Sequence, residues 1–291
     1  MPFVNLLTTR SLGVLPRIVL WCWGGLVSAG LLLGGGETGR VHAEEAREIG
    51  VAVPPIAPPR VELPVGERLS FHGRWFGIPV GKGWIEVKER VVLNGRPAYH
   101  IQAEGESTEL LSTFYPIHDV IHSYLDVDSL QPLQFEKYQR EGHYRAEEIV
   151  TFDYGRLTAS YRSLLNGTTK EVPITPDVQD IISAFYWLRR QPVMPGQPLA
   201  LNIYSDEKIY RTEILPLKTL MLELLWRGTF PCLLVEPKAS FKGVLVRRGR
   251  MQVYVSLDAR RVPLFVEVAT PWGPMTGVLD RESLNAALLD Q

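Results

Sequence analysis

Between residues 65 and 280, short runs of alternating apolar and polar side chains recur, and this period of two restricts the chain to folds built from β-strands. In the run MQVYVSLD the apolar positions on one face are Met251, Val253, Val255 and Leu257. In the run VPLFVEV they are Val262, Leu264, Val266 and Val268. The positions between them also carry aromatic side chains. We therefore expect a sheet with one strongly apolar face and a second face that is only partly exposed to water.

Turn dipeptides separate these runs and indicate how the strands are connected. Asn94-Gly95 and Asn166-Gly167 are pairs that supply the positive φ angles of tight hairpins. Because tight hairpins join antiparallel neighbours, the sheet is predicted to be antiparallel.

One segment, TPDVQDIISAFYWLRRQP, departs from the alternation and predicts a helix. Thr175 followed by proline fits its start, and so does Asp177 with Asp180 three residues later; Pro192 ends it. We assign the carboxylates of Asp177 and Asp180 to the helix start, where acidic groups accept backbone N–H bonds. Replacing Asp180 with asparagine is then expected to lower the stability by about 0.5 to 2 kcal/mol.

The apolar surface of this predicted helix is wider than one stripe. Its members are Val178, Ile181, Ile182, Ala184, Phe185, Trp187 and Leu188. Such a helix needs protein on more than one side. The predicted fold is therefore mainly β with one central helix, in which a curved antiparallel sheet or half-barrel wraps around the helix.

The N-terminus has the charged, apolar and small-residue order of a secretory signal. Arg10 and Arg17 precede an apolar stretch over residues 18–33, and the triplet VHA ends at Ala43. Residues 1–43 are predicted to be a signal peptide that is cleaved after Ala43. The alternative is an uncleaved anchor in the inner membrane, although the apolar stretch is shorter than the roughly 20 residues of a spanning helix.

The rest of the chain divides into a linker, one domain and a tail. Residues 44–64 are rich in proline and have no hydrophobic period, which predicts an extended linker. Residues 65–280 form a single β-rich domain and residues 281–291 a short C-terminal tail. Cys232 is the only cysteine outside the signal segment, so no internal disulfide is expected, and its thiol is predicted to be a buried core group.

Several classes of function are disfavoured by charge and motif. A net charge of −1 and a pI near 6.6 argue against a nucleic-acid partner. The GxGxxG spacing at residues 34–39 falls in the signal segment, and Ser107 lacks the second glycine of a nucleophile elbow. On a strand, His118 and His122 would lie about 13 Å apart, too far to share one zinc ion. No catalytic residue, cofactor or metal is therefore predicted.

The order of four segments resembles a known family. FGIPVGKGWIEV, FYPIHDVIHSYLDVDSLQPLQFEK, DVQDIISAFYWLR and VPLFVEVATPWGPMTGVL are similar to the exported bacterial proteins gathered as domain-of-unknown-function family 3108. The resemblance implies a periplasmic location and an antiparallel sheet curled about a helix. It implies no catalytic residues, because the family defines none.

We expect a non-enzymatic periplasmic protein that binds an apolar or amphipathic envelope molecule or serves envelope maintenance, with possible peripheral association with the envelope. A carrier of this kind needs an apolar cavity of about 300 Å³ or more. The candidate ligand-binding residues are Trp75, Trp84, Tyr186, Trp187 and Arg189. Two alternatives stay open. The first is an enzyme acting on envelope glycan or lipid through Asp126, Asp128 or Asp180, and the second is a scaffold that binds another protein through a sheet edge.

Overall fold

The structure is a computed structural model that describes residue 56 and residues 62–224, 228–241, 244–245, 250–270 and 273–283. The predicted signal peptide, most of the predicted linker and the tail beyond residue 283 lie outside the described residues, as do Trp226 and Trp272.

The described residues form one large sheet of sixteen strands. The strands are β1 Arg68–Trp75, β2 Ile78–Leu93, β3 Arg96–Ser107, β4 Ile117–Asp126, β5 Pro132–Glu141, β6 Tyr144–Asp153, β7 Thr158–Ser163, β8 Thr169–Pro173, β9 Val178–Gln179, β10 Leu199–Ser205, β11 Lys208–Leu224, β12 Gly228–Phe241, β13 Val244–Leu245, β14 Arg250–Ser256, β15 Pro263–Thr270 and β16 Gly273–Leu279. Their order is β8-β7-β6-β5-β4-β3-β2-β1-β16-β15-β14-β12-β11-β10-β9, with β13 paired to β12. All pairs except β9 with β10 are antiparallel, so the predicted mainly antiparallel β fold is confirmed.

The two asparagine-glycine turns have different geometries. Asn94 and Gly95 adopt φ angles of 51° and 80° and connect β2 to β3, as a two-residue hairpin requires. In the second turn only Gly167 has a positive φ, of 72°. The side-chain oxygen of Asn166 instead accepts a hydrogen bond of 3.0 Å from the N–H of Thr168. The prediction of a positive φ at Asn166 was therefore wrong, because the side chain closes this turn.

The helical segment begins later than predicted. Helix α2 spans Ile181–Arg189, and the much shorter helix α1 spans Glu109–Ser112 between β3 and β4. Residues 178–179 pair in parallel with residues 202–203 of β10, so Val178 belongs to β9 and not to the apolar surface of the helix. Asp180 is the N-cap and exchanges hydrogen bonds with Ser183 in a capping box. Neither Thr175 nor Asp177 caps the helix.

Asp177 has a different role from the one predicted. Its carboxylate accepts two hydrogen bonds, of 3.0 and 3.1 Å, from the side-chain amide of Asn202 on β10. Asp177 therefore connects the segment before β9 to strand β10. Residues 178–179, which were expected to be helical, instead pair with β10.

Helix α2 packs against strands from distant parts of the sheet. On one side, Ala184 shares a buried cluster with Leu201 of β10, Ile214 of β11 and Leu233 of β12. On another, Ile182 and Tyr186 belong to a larger cluster that reaches β1 to β7. The expectation of protein on more than one side of the helix agrees with these contacts.

Polar contacts also join parts of the sheet that are not neighbours in the strand order. Lys137 on β5 pairs with Glu148 on β6 at 2.8 Å and with Asp206 in the β10–β11 turn at 3.3 Å. Lys170 on β8 pairs with Glu207 in that same turn at 2.6 Å. The turn between β10 and β11 is therefore held against β5 and β8.

No helix in the described part of the chain has the length and apolar character needed to cross a membrane.

Candidate functional site

An apolar cavity of about 190 Å³ lies beside helix α2 and is partly open to solvent. The apolar side chains that line it include Ile181, Ala184 and Leu188 of the helix, and Leu201, Ile214, Leu233, Val235, Val253 and Val255 of strands β10, β11, β12 and β14. Among the described residues, its polar lining consists of Ser256, Arg189 and Arg261. Such a surface suits an apolar group, and the two arginines are the charged residues among the described lining.

The cavity is smaller than the size expected for a carrier. The expectation was about 300 Å³ or more, the range in which whole drug-sized ligands are buried. An apolar cavity of about 150 Å³ is large enough to bind benzene. A volume of about 190 Å³ therefore accommodates a ring or a length of a single hydrocarbon chain, while the rest of a larger molecule would remain outside.

Arg189 lies at the edge of the cavity in a buried ion pair. Its two terminal nitrogens donate to both carboxylate oxygens of Glu67, at 2.6 and 2.7 Å, and its Nε donates to the carbonyl oxygen of Arg260 at 2.8 Å. Both side chains of the pair are only 8% exposed. Burial lowers the pKa of Arg189, but the negative charge and hydrogen bonds of Glu67 outweigh burial, so its pKa is raised. Arg189 is thus a fixed cation whose charge Glu67 balances.

Arg261 supplies a second guanidinium to the lining. The residue is 5% exposed and adopts a left-handed φ of 50° in the turn between β14 and β15. Backbone N–H groups of Arg260 and Arg261 donate to the same carboxylate oxygen of Asp258, at 3.0 and 3.1 Å, which holds the turn. Burial lowers the pKa of Arg261, and the charge of Asp258 opposes that shift.

Asp180 fixes the opposite end of the helix. Its carboxylate accepts hydrogen bonds from the N–H groups of Ile182 and Ser183, at 2.8 and 2.7 Å, and from the hydroxyl of Ser123 on β4 at 2.6 Å. The side chain is almost completely buried, and burial raises its pKa to about 6 against the opposing effect of these donors. With three donors bound, the carboxylate holds the start of the helix against β4.

The candidate ligand-binding residues are dispersed. Arg189 lines the cavity, and Tyr186 lies behind it, fully buried, with a hydroxyl that has no hydrogen-bond partner among the described residues. Trp187 packs against the cluster around Ala184 without lining the cavity. Trp75 contacts the neighbouring Phe76, and Trp84 lies under the guanidinium of Arg68 at 4.0 Å. Neither Trp75 nor Trp84 lines this cavity. Trp84 lies on the opposite face of β2 from its neighbour Ile85, which does line the cavity.

The histidines and the remaining carboxylates are engaged elsewhere. His118 contacts Glu104 at 2.9 Å, and His122 contacts His100 at 3.0 Å, so the two histidines of β4 have separate partners. Across the described ranges, no three His, Cys, Asp or Glu side chains are grouped so that they could hold a metal ion. Asp126 accepts from Arg96 at 2.6 Å and from the backbone and hydroxyl of Ser129, which closes the β4–β5 turn.

Sequence reasoning missed the charged groups that the fold buries. Arg261 lines the cavity and Glu67 pairs with the lining residue Arg189, yet each stands in a turn-like context in the sequence. Asp119 and Lys137 could have been noticed, because each occupies an apolar position of an alternating strand, Asp119 between Ile117 and Ile121. A charged residue at an apolar position is the available signal for a buried polar contact.

Comparisons with known proteins give a family and a set of distant structures. The profile of a family described as a protein of unknown function, DUF3108, matches residues 70–280. No curated protein matches the sequence.

Three solved structures are similar over most of the chain. A β-barrel-like protein of the domain of unknown function DUF1849 from Brucella abortus is 8% identical, with a TM-score of 0.48, 74% of this chain covered and 96% of that one. A protein described as exported, with a YmcC-like fold, from Bacteroides fragilis is 11% identical, with a TM-score of 0.32 and coverages of 78% and 97%. A protein described as a lipoprotein from Parabacteroides distasonis is 10% identical, with a TM-score of 0.29 and coverages of 77% and 96%.

Proposed function

The chain belongs to the DUF3108 family of proteins of unknown function, and we propose that it is a non-enzymatic envelope protein that holds the apolar part of an amphipathic molecule beside helix α2. The observation that carries this proposal is the cavity of about 190 Å³, whose described lining residues are apolar apart from one serine and two arginines. A purely structural core would be filled at the density of an organic crystal, so a gap of this size is a cost that ligand binding explains.

The ligand is a molecule with one hydrocarbon chain or ring and a polar end. The volume admits a ring or part of one chain, and Arg189 and Arg261 are the charged residues among the described lining. A polar end of the ligand is expected near these two arginines.

The architecture that holds the ligand is a half-barrel around the helix. In this proposal the sheet curves so that β4 reaches the start of α2 through Ser123 and the segment before β1 reaches its end through Glu67. The ion pairs from Lys137 and Lys170 to the β10–β11 turn support the same curvature. The protein acts in the periplasm after removal of residues 1–43, or from the inner membrane if that segment is retained.

A filled cavity tests the proposal. Val253 lines the cavity from the middle of β14, and Val253→Phe adds a ring to the space that the ligand would occupy. Val92→Phe is the matched control, because Val92 is 72% exposed and lies outside the lining. We expect a fluorescent medium-chain fatty acid to bind the unaltered protein and the control equally. Val253→Phe should weaken binding by about tenfold or more, since overpacking leaves no room for the chain.

Two results would contradict this function. If the unaltered protein binds neither the fatty acid nor a neutral single-chain detergent, the cavity is not a binding site, and the scaffold alternative gains. If Val253→Phe folds normally and binds as well as the control, the ligand lies elsewhere. Mass spectrometry of the native protein purified from its expressing cells adds an independent readout, because a retained lipid identifies the ligand class directly.

A further inference from the structure

One end of the sheet exposes a group of large apolar side chains that the proposed cavity does not use. Strands β1 to β8 follow each other as a meander, so the β1–β2, β3–β4, β5–β6 and β7–β8 connections all lie at the same end. We call these four connections the turn rim. Seven large apolar side chains at the rim are at least 39% exposed: Phe76, Ile78, Leu110, Phe114, Tyr144, Leu164 and Leu165.

The opposite end of the same strands differs. Among the described residues, it exposes three large apolar side chains, Val65 before β1, Val92 near the end of β2 and Leu157 in the β6–β7 turn. Scattered single residues of this kind are normal on a soluble surface, whereas a group of seven marks an interaction surface.

Hydrogen bonds make the turn rim continuous. Successive connections are joined by the backbone bonds Thr108 N to Val80 O at 3.0 Å, Gly142 N to Pro116 O at 2.8 Å and Leu164 N to Glu147 O at 2.7 Å. The hydroxyl of Tyr115 also donates to the carbonyl oxygen of Glu141 at 2.9 Å. The exposed side chains are therefore displayed on one fixed edge instead of on independent loops.

Exposed arginines accompany these apolar side chains. Arg74 lies two residues before Phe76, Arg162 lies two residues before Leu164, and Arg140 and Arg145 face each other across the strands that lead to the β5–β6 turn. The exposed acidic groups are fewer: Glu109 lies on α1, and Glu106 is paired with Lys82 at 2.9 Å. The turn rim is thus apolar at its tips and positively charged just behind them.

From this arrangement we infer that the turn rim docks on the surface of an anionic phospholipid bilayer. Apolar tips of this kind insert at the boundary between headgroups and acyl chains, and cations behind them meet anionic headgroups. Arginine suits this position because its apolar stem lies along the inserted surface while its guanidinium reaches the headgroups. None of the seven apolar side chains lines the cavity, so the docking surface stands independently of the proposed ligand site.

Vesicle sedimentation with the chain purified from cells expressing the full sequence tests the docking. The first rim variant combines Leu110→Ser with Phe114→Ser, and its control combines Val92→Ser with Met194→Ser, exposed apolar residues away from the rim. We expect the unaltered protein and the control to bind vesicles of phosphatidylglycerol and phosphatidylcholine in equal parts. The rim variant should bind at least about tenfold more weakly, since two apolar side chains no longer insert.

A second variant separates the charge from the apolar tips. Arg74→Gln with Arg162→Gln should weaken binding to the mixed vesicles and leave weak binding to pure phosphatidylcholine vesicles unchanged. Raising the salt concentration to about 1 M should reproduce the loss in the unaltered protein, because such salt screens headgroup attraction over a few ångströms.

The outcomes are distinct. Any vesicle binding by the N-terminal segment is common to all variants, so only a difference between the rim variant and its control supports docking. Equal binding by the rim variant and the control overturns the inference, as does a failure of the unaltered protein to bind either vesicle, which would instead favour a protein partner at the rim. A normal thermal transition for each variant excludes misfolding as the cause of a loss.

Discussion

Asp180 allows the structural roles of a buried charge and of a helix cap to be measured separately. The alanine variant removes the acceptor for Ser123, Ile182 and Ser183. The asparagine variant removes the charge but keeps one acceptor oxygen for the two backbone N–H groups, and its amide nitrogen then faces the Ser123 hydroxyl, which can rotate to accept. From the sequence alone, asparagine was expected to destabilise the protein. Burial of the carboxylate reverses that expectation at neutral pH, because asparagine caps a helix about as well as aspartate and carries no charge to desolvate.

The magnitude follows from the pKa of Asp180, which burial raises from 3.8 to about 6. A raised pKa means that the folded protein holds this proton more tightly than the unfolded chain does. Stability therefore falls as the pH rises from about 4 to about 6, by on the order of 3 kcal/mol, since each pKa unit corresponds to about 1.4 kcal/mol. Alanine instead loses the cap, at about 0.5 to 2 kcal/mol, and leaves the buried Ser123 hydroxyl without its acceptor, at about 1 to 3 kcal/mol.

Urea and thermal unfolding between pH 4 and pH 7.5 would test these values. We expect Asp180→Asn to match the unaltered protein near pH 4 and to exceed it at pH 7, with a melting temperature up to roughly 6 to 12 °C higher. Asp180→Ala should be less stable than Asp180→Asn throughout. Asp177→Asn is the control: burial raises the pKa of Asp177, but the interactions of its carboxylate with Thr175 and Asn202 outweigh burial and lower that pKa, so its stabilising effect is lost as the pH falls. A constant difference between the unaltered protein and Asp180→Asn from pH 4 to pH 7.5 would refute the reasoning.

Three further predictions concern the Glu67–Arg189 ion pair, the thiol of Cys232 and the N-terminus of the mature protein. Glu67→Gln should lower the free energy of unfolding by about 3 to 5 kcal/mol, because it leaves the Arg189 guanidinium buried without its counter-charge. The control is Glu62→Gln, which removes an exposed ion pair and should cost less than about 1 kcal/mol. Equal losses in the two variants would contradict the stabilising role of the Glu67–Arg189 pair. Burial raises the pKa of Cys232 to about 12, so its thiol should resist iodoacetamide in the native protein and react fully in urea; rapid native labelling would show it to be accessible. N-terminal sequencing of the mature protein should give Glu44 as the first residue. A mature chain that still contains residues before residue 18 would indicate the membrane-anchored alternative.

The parts of the fold that sequence could predict are those determined by neighbouring residues. Asn94-Gly95 specified its hairpin because the two residues themselves supply the required φ angles. Pro192 limited the helix for an equally local reason. The helix start was predicted too early because Val178 pairs with Asn202 of β10, which is more than twenty residues away in the chain. The register shift between Pro216 and Lys218 of β11 is also hidden, since alternation alone assumes that a strand keeps its faces.

The candidate site was harder to predict than the fold because its components are brought together only by tertiary contacts. The helix face was identified, and six residues between Ile181 and Arg189 line the cavity. The tryptophans were chosen for their size, but size alone does not place a side chain at a cavity, and Trp84 lies on the other face of β2. Arg261 could not be recognised from the sequence, because a pair of basic residues in a turn is usually exposed to solvent. In the structure Arg261 is buried and lines the cavity.

Helix α2 is held at both ends by buried polar contacts, and the cavity lies beside its apolar residues. At its start, Asp180 is bonded to Ser123 of β4, and at its end, Arg189 is bonded to Glu67 before β1 and to the carbonyl oxygen of Arg260. These contacts are directional and buried, so they fix the distance between the helix and the sheet at both ends. In the proposed function, these contacts hold the apolar middle of the helix at the distance from β10, β12 and β14 that leaves room for the ligand. Loss of either contact should therefore weaken ligand binding together with stability.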